Sequence, residues 1–158
     1  MTSRHFTSYT QARQQFRAVL DAASSGVVTT IERDDERFLV VSAEQQRRDL
    51  AALRPSRASV VAEGGGWAII LPGLPVHGDG ETFDEAIDDA LVSLREYAED
   101  WNTRLRRAPN HAQNHVLAEL IELSDDDQLR EWLVGGGAAT QATEEGSEQG
   151  QPERQLPA

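Results

Sequence analysis

The stretch SYTQARQQFRAVLDAASSGVVTTIERDDERFLVVS, residues 8–42, decides how the first third of the chain folds. Ser8 and Gln11 have the S-x-x-Q spacing of a helix capping box, in which each side chain takes up a backbone N–H that the first turn leaves unpaired. Ala12, Phe16, Val19, Leu20 and Ala23 follow at helical spacing, and Gly26 is a natural stop. VVTTIER (27–33) and RFLVVS (37–42) are β-branched or apolar runs, and the polar Asp34-Asp35-Glu36 between them predicts a hairpin. Ser42 and Gln45 repeat the capping-box spacing and open a helix through about Leu53. With a short strand ahead of Ser8, the block reads strand, helix, hairpin, helix. Arg13 and Arg17 stand one helical turn apart within it, although the chain as a whole carries a net charge of -12.

That charge is regional. Residues 1–57 hold nine Arg against seven acids, whereas residues 58–101 hold one Arg against ten acids. Residues 102–133 hold four against six, and residues 134–158 one against four. An acidic total argues against non-specific nucleic-acid binding by the whole surface, but not against binding by the near-neutral first third. All fifteen basic residues are arginine. Arginine suits bidentate phosphate or guanine contacts, and a high-GC coding bias explains the missing lysine equally well. The absence of cysteine excludes disulfides, a Cys nucleophile and Cys-based zinc sites. No apolar run is long enough for a transmembrane helix, and the first residues lack an apolar leader segment, so a cytoplasmic location is expected.

Farther along, RPSRAS (54–59) reads as a linker, SVVAE and WAIIL as strands joined by Gly64-Gly65-Gly66, and PGLPVHGDGE (72–81) as a turn-rich loop. Thr82 with Glu85 is a T-x-x-E capping box. It opens an amphipathic helix whose apolar positions run from Phe83 through Ile87, Leu91 and Leu94 to Trp101. Two short helices are expected at 110–123 and 124–133, the second capped by Ser124. From Gly135 the chain is rich in Gly, Gln, Glu and Pro with little to bury, which predicts disorder.

The order Ser8, Ala12, Arg13, Leu20, Asp21, Ala23, Gly26, Val28, Ile31, Arg33, Val40, Val41 and Ser42 resembles the Phd/YefM antitoxin family over residues 3–53. The resemblance implies a symmetric dimer formed through the sheet. It also implies that the start of the first helix and the hairpin face operator DNA ahead of an antitoxin–toxin gene pair. Arg13 and Arg33 match the family's helix and hairpin arginines and are the expected base or phosphate contacts, with Arg4, Ser8 and Thr10 beside them. The plainer reading of Arg17 is a solvated residue paired with Asp21 at i,i+4. In this family the hairpin turn is usually basic or glycine-containing, whereas here it is Asp34-Asp35-Glu36.

GGGWAIILPGLP…GDGETFDEAIDDALVSLREYAEDW, within residues 64–101, resembles the HicB antitoxin core, a truncated relative of ribonuclease H without implied catalysis. The expected fold class is therefore α+β. It comprises a Phd/YefM-like dimerising domain (1–54), a HicB-like domain (55–101), a helical segment (102–134) and a disordered tail (135–158). In the helical segment, Leu117, Leu120, Ile121, Leu129 and Trp132 form an apolar stripe. It either docks on a basic toxin or packs back on the second block. No cofactor and no catalytic residue is expected. Paired carboxylates (Asp79/Glu81, Asp84/Asp88) and His111/His115 at i,i+4 raise a metal-dependent hydrolase as a rival. The carboxylates lie on one helix and its approach, where capping and solubility account for them, and the histidines lack a third ligand and read as a surface helix. The sequence is thus read as a type II antitoxin that binds operator DNA as a homodimer or higher even oligomer. It neutralises a basic RNase toxin, RelE-like before HicA-like. An interaction module that no longer binds DNA and a plain repressor without a toxin stand as alternatives.

Overall fold

The computed structural model describes residues 3–135 and a strand at 139–142. It is a mixed α+β chain with two separate hydrophobic cores. The first core lies under a three-stranded sheet. Strand β1 (Ser3–Phe6) is followed by helices α1 (Tyr9–Gln14) and α2 (Phe16–Ser24), then strands β2 (Val28–Arg33) and β3 (Glu36–Val40). The order is β1-β2-β3, with β1 parallel and β3 antiparallel to the central β2. A parallel neighbour needs a crossover, and the two helices supply it. Phe6, Ala12 and Val19 form this core, with Ile31 and Val40 packed against it.

The single first helix expected from the sequence is broken at Gln15, whose backbone (φ -114°, ψ 30°) leaves the helical region. The break redirects the apolar stripe. Ala12, Val19 and Ala23 are buried as expected, but Phe16 and Leu20 are 56% and 46% exposed. Gly26 closes α2 at φ +73°, a conformation that costs a residue with a Cβ.

In the hairpin, Arg33 pairs with Glu36. The turn is therefore Asp34-Asp35 alone, at φ 49° and 65°. Two residues with φ > 0 make a type I′ turn, which matches the twist of the flanking strands, and Asp is among the few non-glycine residues that tolerate it. Glu36 belongs to β3 rather than to the turn.

The second core draws its residues from Leu50 to Leu133. Helix α3 (Ala43–Leu53) precedes the meander β4 (Ser59–Glu63), β5 (Gly66–Ile70) and β6 (His77–Gly80). Then come the long helix α4 (Phe83–Thr103), two 3₁₀ turns (Leu105–Arg107 and Ala112–Asn114), α5 (His115–Leu123) and α6 (Asp126–Gly135). The last strand, β7 (Ala139–Ala142), runs parallel to β4, so the sheet order is β6-β5-β4-β7. Thr82 and Glu85 complete the capping box of α4 in both directions.

Several expectations need correction. The loop 72–81 contains β6, whose sequence HGDG has no apolar or β-branched residue to betray a strand. Its glycines bring it against α4: a Cβ on Gly78 would collide with the backbone of Ala86 and Ala90, and one on Gly80 with Ala86 and Glu85. The helix expected from 110 begins at His115, after a 3₁₀ turn. Ser124 does not cap α6. Its hydroxyl donates to the Leu120 carbonyl (2.6 Å), and Asp125 takes the capping role, accepting from Gln128 N–H (2.8 Å) while Gln128 Oε1 accepts from Asp125 N–H (2.9 Å).

The packing also divides the chain earlier than residue 54. Leu50 of α3 is part of the second core, and Gln46 Nε2 donates to Glu119 of α5 at 2.9 Å. The 54–59 segment is anchored rather than free: Ser56 is buried and donates to the Leu133 carbonyl (2.9 Å), and Ala58 is buried. Residues 102–135 are not a separate segment but share this core with α4. The tail expected to be disordered from Gly135 contains the end of α6 and the strand β7. The remainder of that expectation lies outside the described residues.

Candidate nucleic-acid interface and acidic face

The start of α1 meets the β2–β3 turn in an open cleft. Its walls include Ser8, Tyr9 and Thr10 from one side and Glu32, Arg33 and Arg37 from the other. The crossover of β1 into α1 places them there. Ser8 is extended and caps α1, its hydroxyl accepting from Gln11 N–H at 3.2 Å, while Gln11 Oε1 accepts from Thr7 N–H at 3.0 Å. This fixes the first turn, so Tyr9 and Thr10 face the hairpin.

The cleft brings together three of the five expected DNA-contacting residues, namely Ser8, Thr10 and Arg33. Arg13 is exposed on the last turn of α1 and Arg4 on β1, and neither is a wall of the cleft. Arg33 donates from Nε to the Asp34 carboxylate at 3.1 Å. Arg37 and Tyr9 were not singled out from the sequence. Arg37 sits opposite Glu32 in the ladder, 3.9 Å from its carboxylate. Strand register places it beside Arg33's turn, and that register was the signal available. Arg17 lies 3.8 Å from Asp21, both side chains well exposed, in the i,i+4 arrangement of a solvated pair.

Exposed apolar side chains surround this body. Beyond Phe16 and Leu20, they include Tyr9, Val28, Phe38, Leu39 and Val41. Thr30 pairs with Leu39, so the two-residue alternation of the strands sets Val28, Leu39 and Val41 on one side of the sheet. Leu39, at 64% exposure, has no cover among the described residues.

The second body carries the acids. Arg95 of α4 donates to the Ile121 and Ser124 carbonyls (2.7 and 2.9 Å) and to Asp126 (2.7 Å), closing the end of α5 and holding the start of α6. Arg130 of α6 pairs with Asp84 and Asp88 of α4. Of the carboxylates raised as metal ligands, Asp84 and Asp88 are taken up by Arg130; beside them the Asp79 backbone N–H donates to the Asp89 carboxylate (3.0 Å). His111 Nδ1 is 3.0 Å from the Tyr97 hydroxyl, which accepts from Asn114 Nδ2 (2.8 Å), and His115 is exposed on the surface. Among the described residues, no group of three or more His, Cys, Asp or Glu is arranged to hold a metal ion.

The stripe expected to meet a toxin is the core itself. Leu117, Leu120, Ile121 and Leu129 are fully buried and Trp132 is 8% exposed. Trp132 Nε1 donates to the Arg54 carbonyl at 2.7 Å. Of the two readings of that stripe, packing back on the second block is the one realised here, and none of the five presents a docking surface. The reason is that the long apolar face of α4 needs a cover, and α5 and α6 supply it.

The family scan matches residues 3–134 to a PHD-like family described as antitoxin of toxin-antitoxin, RelE / RelB, TA system. The chain belongs to this antitoxin family. Membership brings a toxin partner with it, and points to a regulatory rather than an enzymatic role. Among solved structures, the chain is similar to one from Syntrophomonas wolfei subsp. wolfei, described as an antitoxin part of a proposed toxin/antitoxin system. The identity is 20%, the TM-score 0.66, and the match covers 90% of this antitoxin and 100% of that chain. At that identity the likeness concerns the fold. No curated protein matches the antitoxin. None of its described helices is long and apolar enough to cross a membrane.

Proposed function

We propose that this antitoxin represses its own operon by binding operator DNA as a dimer through residues 3–41, and neutralises an RNase toxin through the acidic second body. The first body is read as Phd/YefM-like, and the β4–β6 meander with α4 as HicB-like. The observation that carries the DNA half is the cleft between the α1 N-terminus and the hairpin, where Arg33 and Arg37 stand beside Thr10 and Tyr9. A hydroxyl, an aromatic ring and two guanidiniums on two converging elements suit a phosphate backbone and a guanine edge. Dimerisation is supported by the uncovered apolar residues around Leu39. A body of about forty residues buries too little surface to be stable by itself, and a two-fold partner adds area while repeating the cleft for a palindromic site. The toxin is a basic RNase, RelE-like before HicA-like, since an acidic partner complements an RNA-binding surface and speeds association.

Two experiments test this. Retention of the full chain on its own promoter DNA should fall steeply with salt, because phosphate contacts release counterions. Co-expression with the small basic protein encoded next to it should restore growth. A specific observation favours a second reading, a toxin-binding module that no longer binds DNA: Arg33 is already paired with Asp34, and Asp35 and Glu36 flank it. Salt-independent or absent retention, with rescue intact, would select that reading.

A further inference from the structure

We propose that the apolar groove between the first turns of α4 and the last turn of α6 is where the toxin docks, receiving an apolar side chain flanked by basic residues. The proposal rests on the neutralisation reading above. Phe83, Ile87, Val134 and Gly135 line the groove, and Asp84, Glu131 and Arg130 complete its walls. Val134 is 42% exposed at its mouth, although it belongs to a helix whose other large apolar residues are buried. Acids continue along the same face. Asp88, Asp126 and Asp127 surround Arg95 and the exposed Val92 on the neighbouring turns of α4 and α6. An apolar slot with a predominantly carboxylate border fits an anchor residue bracketed by Arg or Lys, and repels an acidic or nucleic-acid partner.

Arg130 gives the groove a specific mode of use. It is the cation in the wall, and it spans Asp84 and Asp88 on α4. A guanidinium from the partner can take over these carboxylates, displacing Arg130 into solvent. The groove therefore presents a self-made copy of the contact that the partner completes.

The test uses the full-length chain and the purified product of the neighbouring reading frame, titrated by calorimetry. Val134→Arg should weaken binding tenfold or more, because it fills the slot and puts a like charge before the partner's basic flank. Arg130→Gln should tighten it, since two carboxylates lose their internal partner. Ile70→Arg, on the exposed side of β5 away from the groove, should leave binding unchanged. Unchanged melting temperatures establish that all three variants fold. If wild type binds and Val134→Arg binds equally, or if only Ile70→Arg loses affinity, the groove proposal is overturned while neutralisation stands. Weaker binding by Arg130→Gln also overturns it. A Val134→Arg variant that changes the mass of the free chain by light scattering, with partner affinity intact, makes the groove a contact between copies and ends the proposal. If wild type itself does not bind, the neutralisation reading fails, and this one with it.

Discussion

Arg33 donates from Nε to the carboxylate of Asp34, 3.1 Å away and next to it in the chain, so one of the hairpin's two arginines is held by its own turn. Both side chains are well exposed, so the pair is weak and a phosphate can displace the carboxylate. What opposes DNA here is the summed field of Asp34, Asp35 and Glu36. The type I′ backbone explains why two of those acids are tolerated.

Replacing Asp34-Asp35 with Asn-Gly keeps the positive φ values that the turn requires and removes two negative charges. Asn-Gly is the favoured pair for a type I′ turn. We expect unchanged or raised thermal stability and tighter retention on promoter DNA, read as a shift of the binding midpoint to higher salt.

Arg33→Ala should weaken specific operator binding by about 1–3 kcal/mol if the arginine reads a guanine, and Arg13→Ala should weaken it by a similar or smaller amount. Arg17→Ala should change little, because its side chain is solvated beside Asp21. Electrophoretic shifts on operator and scrambled DNA separate base reading from phosphate contact: a phosphate contact is lost equally on both.

Leu120→Ala should cost about 2–5 kcal/mol of stability, measured by urea unfolding, because the side chain is fully buried in the second core. Leu120→Asp and Trp132→Asp should unfold the second body, so lost neutralisation in those variants would report on folding. Circular dichroism alongside the growth assay distinguishes the two.

Gly78→Ala should destabilise the second body more than an ordinary strand substitution. The added carbon meets the α4 backbone at Ala86 and Ala90, which cannot move aside as a flexible side chain could. Overpacking of this sort costs about 1–3 kcal/mol or more. Ala at Gly64, where open space surrounds the position, meets only the strain of φ +59°.

Acid should loosen the start of α3 and the end of α4. The Arg47 side chain bonded to Glu44 holds that carboxyl below its ordinary range, and Arg104 does the same to Asp100. A carboxyl with a lowered folded pKa contributes its stability above the unfolded value and loses it as pH falls through the folded one. Stability is therefore expected to be flat through neutral pH and to decline below about pH 4.5. Glu44→Gln should flatten part of that decline, with only a small change at pH 7, since the carboxyl is exposed.

The parts of the fold that were legible in the sequence are local. Ser8, Ser42 and Thr82 cap the helices their spacing predicts, because a cap and the backbone N–H that donates to it lie three residues apart and need nothing else. The strands of the two hairpins were legible for the same reason. The α3 helix was legible as a helix, but not as part of the second body, because its stripe shows that a face is apolar without showing what covers it. Leu117, Leu120 and Trp132 carried the same ambiguity. At the cleft between α1 and the hairpin, Ser8, Thr10 and Arg33 were readable from resemblance and spacing. Arg37 required the register of β3 against β2, and the break at Gln15 that exposes Phe16 and Leu20 left no local signal.

Helix α3 leaves the ribosome directly behind the first body, yet its partners are the last helices to be made. Gln46 waits for Glu119, and the Arg54 carbonyl for Trp132. The first body, closed by residue 41, has all its strands and helices as soon as it emerges. The second body stays unfinished until β7, at residues 139–142, is out. Synthesis thus separates the two bodies in time: a ribosome stalled in mid-message would hold a chain with every element of the first body made and the core of the second still open.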